Sequence, residues 1–256
     1  MNQKAPSLFI GHGSPMNAIE DNPFSQGWRA IGRSFEKPRA VLCISAHWVT
    51  EGVRVTANLQ PRTIHDFGGF PPDLFAVQYP APGAPALAVD VAKRLAVFDA
   101  ETDENWGLDH GAWSVLVHLY PDADVPIVQL SLDARRTPEQ HYAIGQALAP
   151  LRDEGVLILG SGNIVHNLRH WRDSAAQDWV AGFDGFVVGR IVARDHQSVI
   201  DYLSHPMAKS AAPDWDHFVP LLYVLGAQGE GEVATWLNRA LIPGISMTSI
   251  AFGVGS

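Results

Sequence analysis

The run Val41-Leu-Cys-Ile-Ser-Ala-His47 is apolar for most of its length and then reaches a histidine. A continuous apolar run of this length is typical of a strand buried on both faces of a parallel sheet. A second run of the same kind, Leu8-Phe-Ile-Gly-His12, breaks at glycine and also presents a histidine. Ligands of open α/β sheets bind beyond the carboxyl ends of the strands. The two runs therefore predict two imidazoles facing one crevice, as in a metal site.

Short apolar runs alternate with helical spacing along the rest of the chain. This predicts an α/β fold: one domain over residues 1–256, with a mixed, mostly parallel central sheet flanked by helices and a metal site at the carboxyl ends of the strands. The loop 60–85, rich in Pro, Gly and aromatic residues, is expected to form a lid or a wall of the site. Predicted strands cover 8–10, 40–45, 53–57, 126–131, 156–159 and 246–252. Predicted helices cover 22–35, 84–97, 112–120, 137–151 and 214–225, with further helical patterns over 177–203.

The composition excludes several classes of protein. The formal net charge is -9 and no cluster of Lys and Arg occurs, which argues against binding to nucleic acid or to an anionic membrane. The single cysteine, Cys43, excludes a disulfide framework and a cysteine-rich zinc module. No signal segment or apolar stretch of about 18 residues is found, so we expect a cytoplasmic protein.

Position, rather than abundance, selects candidates among the eleven histidines. His12 has glycine on both sides, and glycines cost backbone entropy that a solvent-facing side chain would not require. His47 follows a strongly apolar strand, where a neutral imidazole at the end of a sheet suits a ligand. The alternatives are a helix-capping loop histidine for His12 and a hydrogen-bonded core histidine for His47.

Four further histidines are weaker candidates. His166 lies a few residues beyond a strand, on a helix predicted to follow Gly160-Ser-Gly-Asn163, and either an acid/base or a ligand role fits it. His217 is a ligand candidate or a surface histidine of its predicted helix. His110 and His65 each neighbour an aspartate, so each is either close to the site or a turn histidine. The remaining histidines are interpreted as structural or solvated.

The spacing of these histidines is by itself weak evidence for a metal site, because none of them lies in a compact motif such as H-E-x-x-H. Three neutral imidazoles can hold Zn²⁺ tetrahedrally with one open position, or Fe²⁺ with several. Other chemistries lack their motifs: the chain has no G-x-S-x-G, no P-loop and no G-x-G-x-x-G after the first strand.

Five stretches together resemble one enzyme family. They are Gly11-His-Gly-Ser-Pro-Met16, Ser45-Ala-His-Trp48, Thr63-Ile-His-Asp-Phe-Gly-Gly-Phe-Pro71, Asp109-His-Gly-Ala-Trp113 and Ser161-Gly-Asn-Ile-Val-His-Asn167. Over nearly its whole length the chain is similar to class III extradiol ring-cleavage dioxygenases. Within that class it resembles the 4,5-DOPA extradiol dioxygenase group, which is related to the catalytic subunit of protocatechuate 4,5-dioxygenase.

The resemblance implies a set of site residues. His12, His47 and His217 match the metal-binding histidines of the family, and His166 matches its active-site histidine, which in zinc-bound members is also counted as a ligand. Relatives that cleave protocatechuate use a carboxylate as the third ligand, whereas His217 stands at the matching position here. Asp216 and Asp214 are nearby carboxylates that could take its place.

The activity implied is opening of a catechol ring, such as that of L-DOPA, by O₂ at a non-haem Fe²⁺ centre, with Zn²⁺ plausible in the same site. We expect His166 to act as acid and base, His110 to steady bound oxygen or a substrate hydroxyl, and His65 and Trp48 to line the substrate pocket. The alternatives are a zinc hydrolase that uses the same imidazoles and a non-catalytic metal-binding protein.

Overall fold

The computed structural model describes residues 4–254, with Ser174 described only through its backbone. Ten strands form an eight-stranded sheet and a separate two-stranded hairpin within that range. The strands are β1 Ser7–Gly11, β2 Ala40–Thr50, β3 Arg54–Thr56, β4 Glu101–Asp103, β5 Ile127–Asp133, β6 Val156–Gly162, β7 Thr235–Trp236, β8 Leu241–Ile242, β9 Ile245–Ser246 and β10 Ile250–Phe252.

Helices connect and cover these strands. The α-helices are α1 Pro23–Gly32, α2 Pro72–Phe75, α3 Pro85–Arg94, α4 His110–Leu119, α5 Pro138–Leu148, α6 Gln177–Val192, α7 His196–Ile200, α8 Ala208–Ala211 and α9 Pro220–Gly226. Short 3-10 segments occupy Pro15–Ala18, Ala96–Phe98, Ala149–Glu154, Leu168–His170, Ser174–Ala176 and Tyr202–Ser204. Within residues 4–254, no helix combines the length and the apolar character needed to cross a membrane.

The large sheet has the order β4-β3-β5-β2-β6-β1-β10-β7. Its four central strands, β5, β2, β6 and β1, are parallel, while β3 joins β5 and β10 joins β1 in antiparallel fashion. The prediction of a mixed, mostly parallel sheet flanked by helices in one domain is confirmed. Parallel strands place all their carboxyl ends at one edge, so the loops that follow β1, β2 and β6 meet there.

Alternate residues of β2 face opposite layers of the core. Val41 and Cys43 pack into one buried cluster with α1 and α4, while Leu42 and Ile44 pack into the other with α3, α5 and α9. Both faces of the strand are therefore covered, which explains the continuous apolar run in the sequence. The thiol of Cys43 is fully buried and behaves as a small apolar side chain.

Two helix starts follow local capping chemistry. The side-chain oxygen of Asn22 accepts hydrogen bonds from the backbone N–H groups of Phe24 and Ser25, each at 3.0 Å, and Pro23 occupies the first turn of α1. Thr137 and Gln140 form a capping box at the start of α5. Both starts were predicted from the sequence and are confirmed, although α1 ends three residues before the predicted position.

The prediction that β2 ends before His47 is wrong. Pairing with β6 stops at Ser45, but β2 resumes pairing with β5 at Val49 after a shift in register. His47 lies in this irregular stretch between Ile44 and Val49. A β-bulge re-aims the side chains that it carries, so the irregularity directs the imidazole towards the edge of the sheet.

The helix predicted to follow Gly160 is also absent from this part of the structure. β6 continues to Gly162, and His166 instead forms an isolated antiparallel bridge with Ile245. Gly160 and Gly162 are needed for close packing, because a Cβ at either position would overlap a backbone carbonyl oxygen, of Pro220 or of His217 respectively.

The helix predicted over 214–225 begins only at Pro220. Proline has no N–H for an intrahelical hydrogen bond and is favoured only in the first turn, so residues 214–219 form turns and bends instead. The final predicted strand, 246–252, is divided into β9 and β10. In the stretch between them the Ser249 hydroxyl accepts a hydrogen bond from the Gly11 N–H at 3.0 Å.

Candidate metal centre

Five histidines from separate elements converge at the carboxyl edge of the sheet. His12 follows β1, His47 lies in β2, His110 is the first residue of α4, His166 follows β6, and His217 precedes α9. All five line one cavity. The two imidazoles predicted from the strand ends, His12 and His47, do meet: their Nε2 atoms lie 3.2 Å apart.

The tightest group of possible ligands consists of His12, His47 and His110, which each offer one nitrogen within 4.8 Å of the others. The rings of His47 and His110 have centroids 3.8 Å apart. His217 is also close, with its ring centroid 5.3 Å from that of His12 and 5.0 Å from that of His47. His166 stacks on His217 at a centroid distance of 3.6 Å.

Hydrogen bonds fix the orientation of His12. The Ser161 hydroxyl donates to the carbonyl oxygen of Gly111 at 2.6 Å, so its oxygen accepts from Nδ1–H of His12, 3.0 Å away. A neutral imidazole has a single N–H, so we assign a free lone pair to Nε2 of His12. This lone pair points to the centre of the cluster.

Carboxylates orient the imidazoles of His217 and His47 in the same way. Oδ1 of Asp216 accepts from Nδ1 of His217 at 2.8 Å, and Oδ2 of Asp66 lies 3.4 Å from Nδ1 of His47. Because a carboxylate only accepts, we assign the proton of each ring to Nδ1, which leaves Nε2 with its lone pair. Such carboxylate–histidine pairs are the usual support of metal-ligating imidazoles.

The arrangement fits a cation. With these tautomers, the Nε2 atoms of His12 and His47 face each other at 3.2 Å with two lone pairs and no proton between them. A positive ion held by both nitrogens removes that repulsion. An imidazole donor set is one that Fe²⁺ and Zn²⁺ both accept.

Burial keeps these imidazoles neutral. It lowers the pKa of His12 and of His217 well below the usual value, and the neighbouring imidazoles lower both further. Burial also lowers the pKa of His47 to about 3 and that of His166 to about 4. At neutral pH all four rings are therefore in the form that binds a metal or accepts a proton.

Asp66 joins two of the imidazoles. Its Oδ1 accepts a hydrogen bond from the backbone N–H of His110 at 2.9 Å, and its Oδ2 lies 3.0 Å from Nδ1 of that ring. Burial raises the pKa of Asp66, but the contacts with His110 outweigh it and the pKa is lowered, so the group is an anion. Sequence analysis missed this residue, because nothing in the loop 60–85 indicates which loop position reaches α4.

Asp109 supports the start of α4 from beneath the site. It accepts hydrogen bonds from the Ser45 hydroxyl at 2.6 Å and from the Ala112 N–H at 3.1 Å. Complete burial raises its pKa, and the nearby charge of Asp66 raises it further. The Asp109 side chain therefore ties β2 to the helix that presents His110, a role that sequence analysis did not assign.

The cavity has a volume of about 500 Å³. Beyond the histidines and Ser14 its walls are apolar, with Phe67 and Phe70 contributed by the loop 60–85. This loop thus forms a wall of the site, one of the two predicted roles. Cavities of this size that are apolar with a few convergent polar groups are typical of small-molecule sites.

Neither His65 nor Trp48 is among the residues that line the cavity. The Nε2–H of His65 donates a hydrogen bond to the carbonyl oxygen of Val77 at 3.0 Å, which holds the ring within the loop. Trp48 is only 4% exposed and stacks on Trp106, with planes 2° from parallel and centroids 5.5 Å apart. Neither side chain therefore lies on the cavity wall, and contact of these two residues with a substrate stays a prediction.

Comparison with known proteins gives consistent results. Residues 6–251 match the family model described as the catalytic LigB subunit of aromatic ring-opening dioxygenase. The chain is 43% identical to a 4,5-DOPA dioxygenase extradiol of Escherichia coli K12, over 98% of this chain and 95% of the relative. It is 40% identical to the protein of the same name from Beta vulgaris, over 93% and 92%. The crystal structure of an uncharacterized protein of Escherichia coli K12 superposes with a TM-score of 0.84 at 38% identity, covering 96% of this chain and 99% of that one.

Proposed function

Because this chain belongs to the family of the catalytic LigB subunit of aromatic ring-opening dioxygenases, and is a metal-dependent extradiol dioxygenase, we propose that its metal is Fe²⁺ and its substrate a catechol such as L-DOPA. The relatives named as 4,5-DOPA dioxygenases support this choice of substrate. The family match over residues 6–251 supports one catalytic domain over residues 1–256. The observation that carries the proposal is the pair of facing Nε2 atoms of His12 and His47 in an apolar cavity.

We propose His12, His47 and His217 as the metal ligands, each oriented through its Nδ1 so that Nε2 is free. His110 is the competing third ligand, since its nitrogen completes the tightest triplet. We favour His217 because its Nδ1 is hydrogen-bonded to Asp216 at 2.8 Å, as is usual for metal ligands, whereas Nδ1 of His110 makes no hydrogen bond within the described residues although Asp66 is near it. His166, stacked on His217, is either a fourth ligand or a free base.

Fe²⁺ in this site would favour the deprotonated diol and allow electrons to pass from it to O₂. His166 takes a proton from a catechol hydroxyl, since burial keeps its imidazole neutral at pH 7. His110, held by Asp66, contributes a hydrogen bond to the substrate or to oxygen. The aromatic wall of Phe67 and Phe70 keeps bulk water away from the ring as it opens.

Oxygen uptake by protein loaded anaerobically with Fe²⁺ tests the proposal. We expect L-DOPA and simple catechols to consume O₂ mole for mole with formation of a yellow ring-opened product. There are two controls. One is the protein loaded with Zn²⁺, an ion that the same imidazoles can bind, and the other is His12→Ala loaded with Fe²⁺. Both should be inactive. No uptake with any catechol would overturn the proposal.

A further inference from the structure

The cavity has a buried end and an open end. His12 and His217 are 1% and 7% exposed, whereas Leu168 and Trp171, which line the same cavity, are each 55% exposed. We call Leu168 and Trp171 the cavity mouth. The chain of L-DOPA is attached to the ring on the side away from the two hydroxyls. A diol bound at the histidines therefore directs that chain towards the mouth.

An arginine lies beside the mouth. The guanidinium carbon of Arg172 is 4.0 Å from the centroid of the Trp171 ring, which is a cation–π contact. Such a contact uses a flat face of the guanidinium, so the N–H groups, which point outwards in its plane, stay available as donors. Trp171 thus holds a positive charge at the mouth without using its hydrogen bonds.

The charge of Arg172 has no partner within the part of the chain that the structure describes. The carboxylate next to it in sequence, Asp173, is bonded instead to Nδ1 of His170 at 3.2 Å. The other arginines that lie over aromatic rings in the described residues do each have a carboxylate partner. They are Arg136 with Asp133 at 3.1 Å, Arg190 with Asp195 at 3.2 Å and Arg239 with Asp184 at 3.8 Å.

The chemistry of this position suits a carboxylate. Guanidinium and carboxylate groups form paired, charge-assisted hydrogen bonds, which are stronger than those between neutral groups. A chain with a formal net charge of -9 repels anions over most of its surface, so an unpaired guanidinium at the mouth provides a local exception. Of the two charged groups of L-DOPA, the carboxylate therefore gains a partner at the mouth, while the ammonium stays in water.

We infer that Arg172 binds the carboxylate of the substrate, and that the preferred substrates are catechols that carry a carboxylate on a short chain. The inference rests on the proposed function, because it assumes that the diol binds at the histidines. It makes Arg172 a specificity-determining residue that takes no part in the chemical step, so its effect is expected on KM rather than on kcat.

Four catechols that differ in the charge of their chain test this: dihydrocaffeate, its uncharged amide, L-DOPA and dopamine. Oxygen uptake by the Fe²⁺-loaded protein gives kcat and KM for each. We expect KM to be about three- to tenfold lower for dihydrocaffeate than for the amide, and highest for dopamine, whose only charge is positive. Added NaCl should reduce the difference between dihydrocaffeate and the amide, because exposed charge pairs are screened by salt.

Substitution of the arginine identifies the source of the preference. Arg172→Gln should raise KM for dihydrocaffeate and L-DOPA by about three- to tenfold, and leave kcat and the KM of the amide unchanged. Arg172→Lys keeps the charge without the planar fork and should retain part of the preference. Arg190→Gln is the matched control, because Arg190 also lies over an aromatic ring, Phe186, but is paired with Asp195 and lies outside the cavity lining.

Each contrary result has a separate meaning. Equal KM values for dihydrocaffeate and its amide overturn the inference, as does a preference that survives in Arg172→Gln. Loss of the preference in Arg169→Gln alone would assign the carboxylate to a different arginine of the same segment and overturn it too. In all three cases oxygen uptake with the amide still upholds the proposed function. If no catechol consumes O₂, the proposed function fails and the inference fails with it.

Discussion

The imidazole rings of His166 and His217 lie face to face, with centroids 3.6 Å apart and planes 3° from parallel. Only His217 has a carboxylate partner at its Nδ1, the Oδ1 of Asp216 at 2.8 Å. The two rings are therefore neighbours, but only His217 is oriented by a carboxylate. This difference indicates different roles for them.

Replacing His166 separates its two possible roles. If His166 is an acid/base and not a ligand, His166→Ala should lower kcat by about 10²- to 10⁴-fold while the protein keeps a full complement of Fe²⁺. Metal analysis by mass spectrometry, together with oxygen uptake, checks this. A loss of bound iron as large as that of His12→Ala would instead make His166 a ligand.

Replacing His217 and His110 in parallel identifies the third ligand. We expect His217→Ala to lose most of its bound metal and His110→Ala to retain it with reduced activity. Competition with a coloured chelator measures both affinities under the same conditions. The reverse order would assign the metal to the triplet of His12, His47 and His110.

Asp66→Asn should weaken metal binding by about 10- to 100-fold, the usual effect of removing a carboxylate that orients metal-ligating histidines. The amide cannot supply the negative charge that lies 3.4 Å from Nδ1 of His47 and 3.0 Å from Nδ1 of His110. Asp73→Asn, an exposed carboxylate in the first turn of α2, is the matched control. Equal affinities of the two variants would contradict the role given to Asp66.

Stability should depend on pH through His141, a buried histidine of α5 outside the metal cluster. Burial lowers its pKa from 6.5 to about 4, and its Nδ1 lies 2.8 Å from the Tyr223 hydroxyl. The folded protein therefore binds this proton less readily than the unfolded chain. The stability conferred by the neutral ring is fully present above pH 6.5 and is lost as the pH falls towards 4.

Urea unfolding of the metal-free protein at several pH values measures this effect. One such group contributes a slope of up to about 1.4 kcal/mol per pH unit to the free energy of unfolding. His141→Gln should reduce the slope of the free energy of unfolding against pH by up to that amount. The part of the slope that is left comes from the buried histidines of the site. An unchanged slope in the variant would show that His141 does not titrate in this way.

Position 162 requires glycine for a steric reason, and a pair of substitutions tests this. Gly162→Ala should destabilise the protein by roughly 1–3 kcal/mol, because its Cβ would overlap the carbonyl oxygen of His217. Gly189→Ala, on the exposed face of α6 with nothing within 4 Å of the new Cβ, should stabilise it by about 0.5–1 kcal/mol. Thermal unfolding compares the two, and similar shifts in Tm would contradict the packing argument.

The parts of the site predicted from sequence are those that local patterns determine. His12 and His47 were found because buried parallel strands carry an unmistakable apolar run, and such strands end at a common edge. The helix that begins at Pro220 was predicted to begin at residue 214, because Asp214 has a side chain that is typical of an N-cap. His217 was identified through family resemblance rather than through its surroundings.

Contacts between distant segments could not be predicted. Asp66 reaches His110 across 44 residues, and Ser161 reaches His12 across 149. Neither pair shows any pattern in the sequence, since a single polar residue in a loop or at a strand end is compatible with many partners. The tertiary fold alone selects these partners.

The position of β6 determines when the site can form. β6 lies between β1 and β2 in the sheet, although it follows both of them in the chain by more than a hundred residues. His12 and His47 cannot reach their separation of 3.2 Å until this late strand has inserted and Ser161 has met His12. Contacts of such long range form slowly. The rate of metal uptake during refolding therefore reports the closure of the sheet, which the first half of the chain cannot achieve by itself.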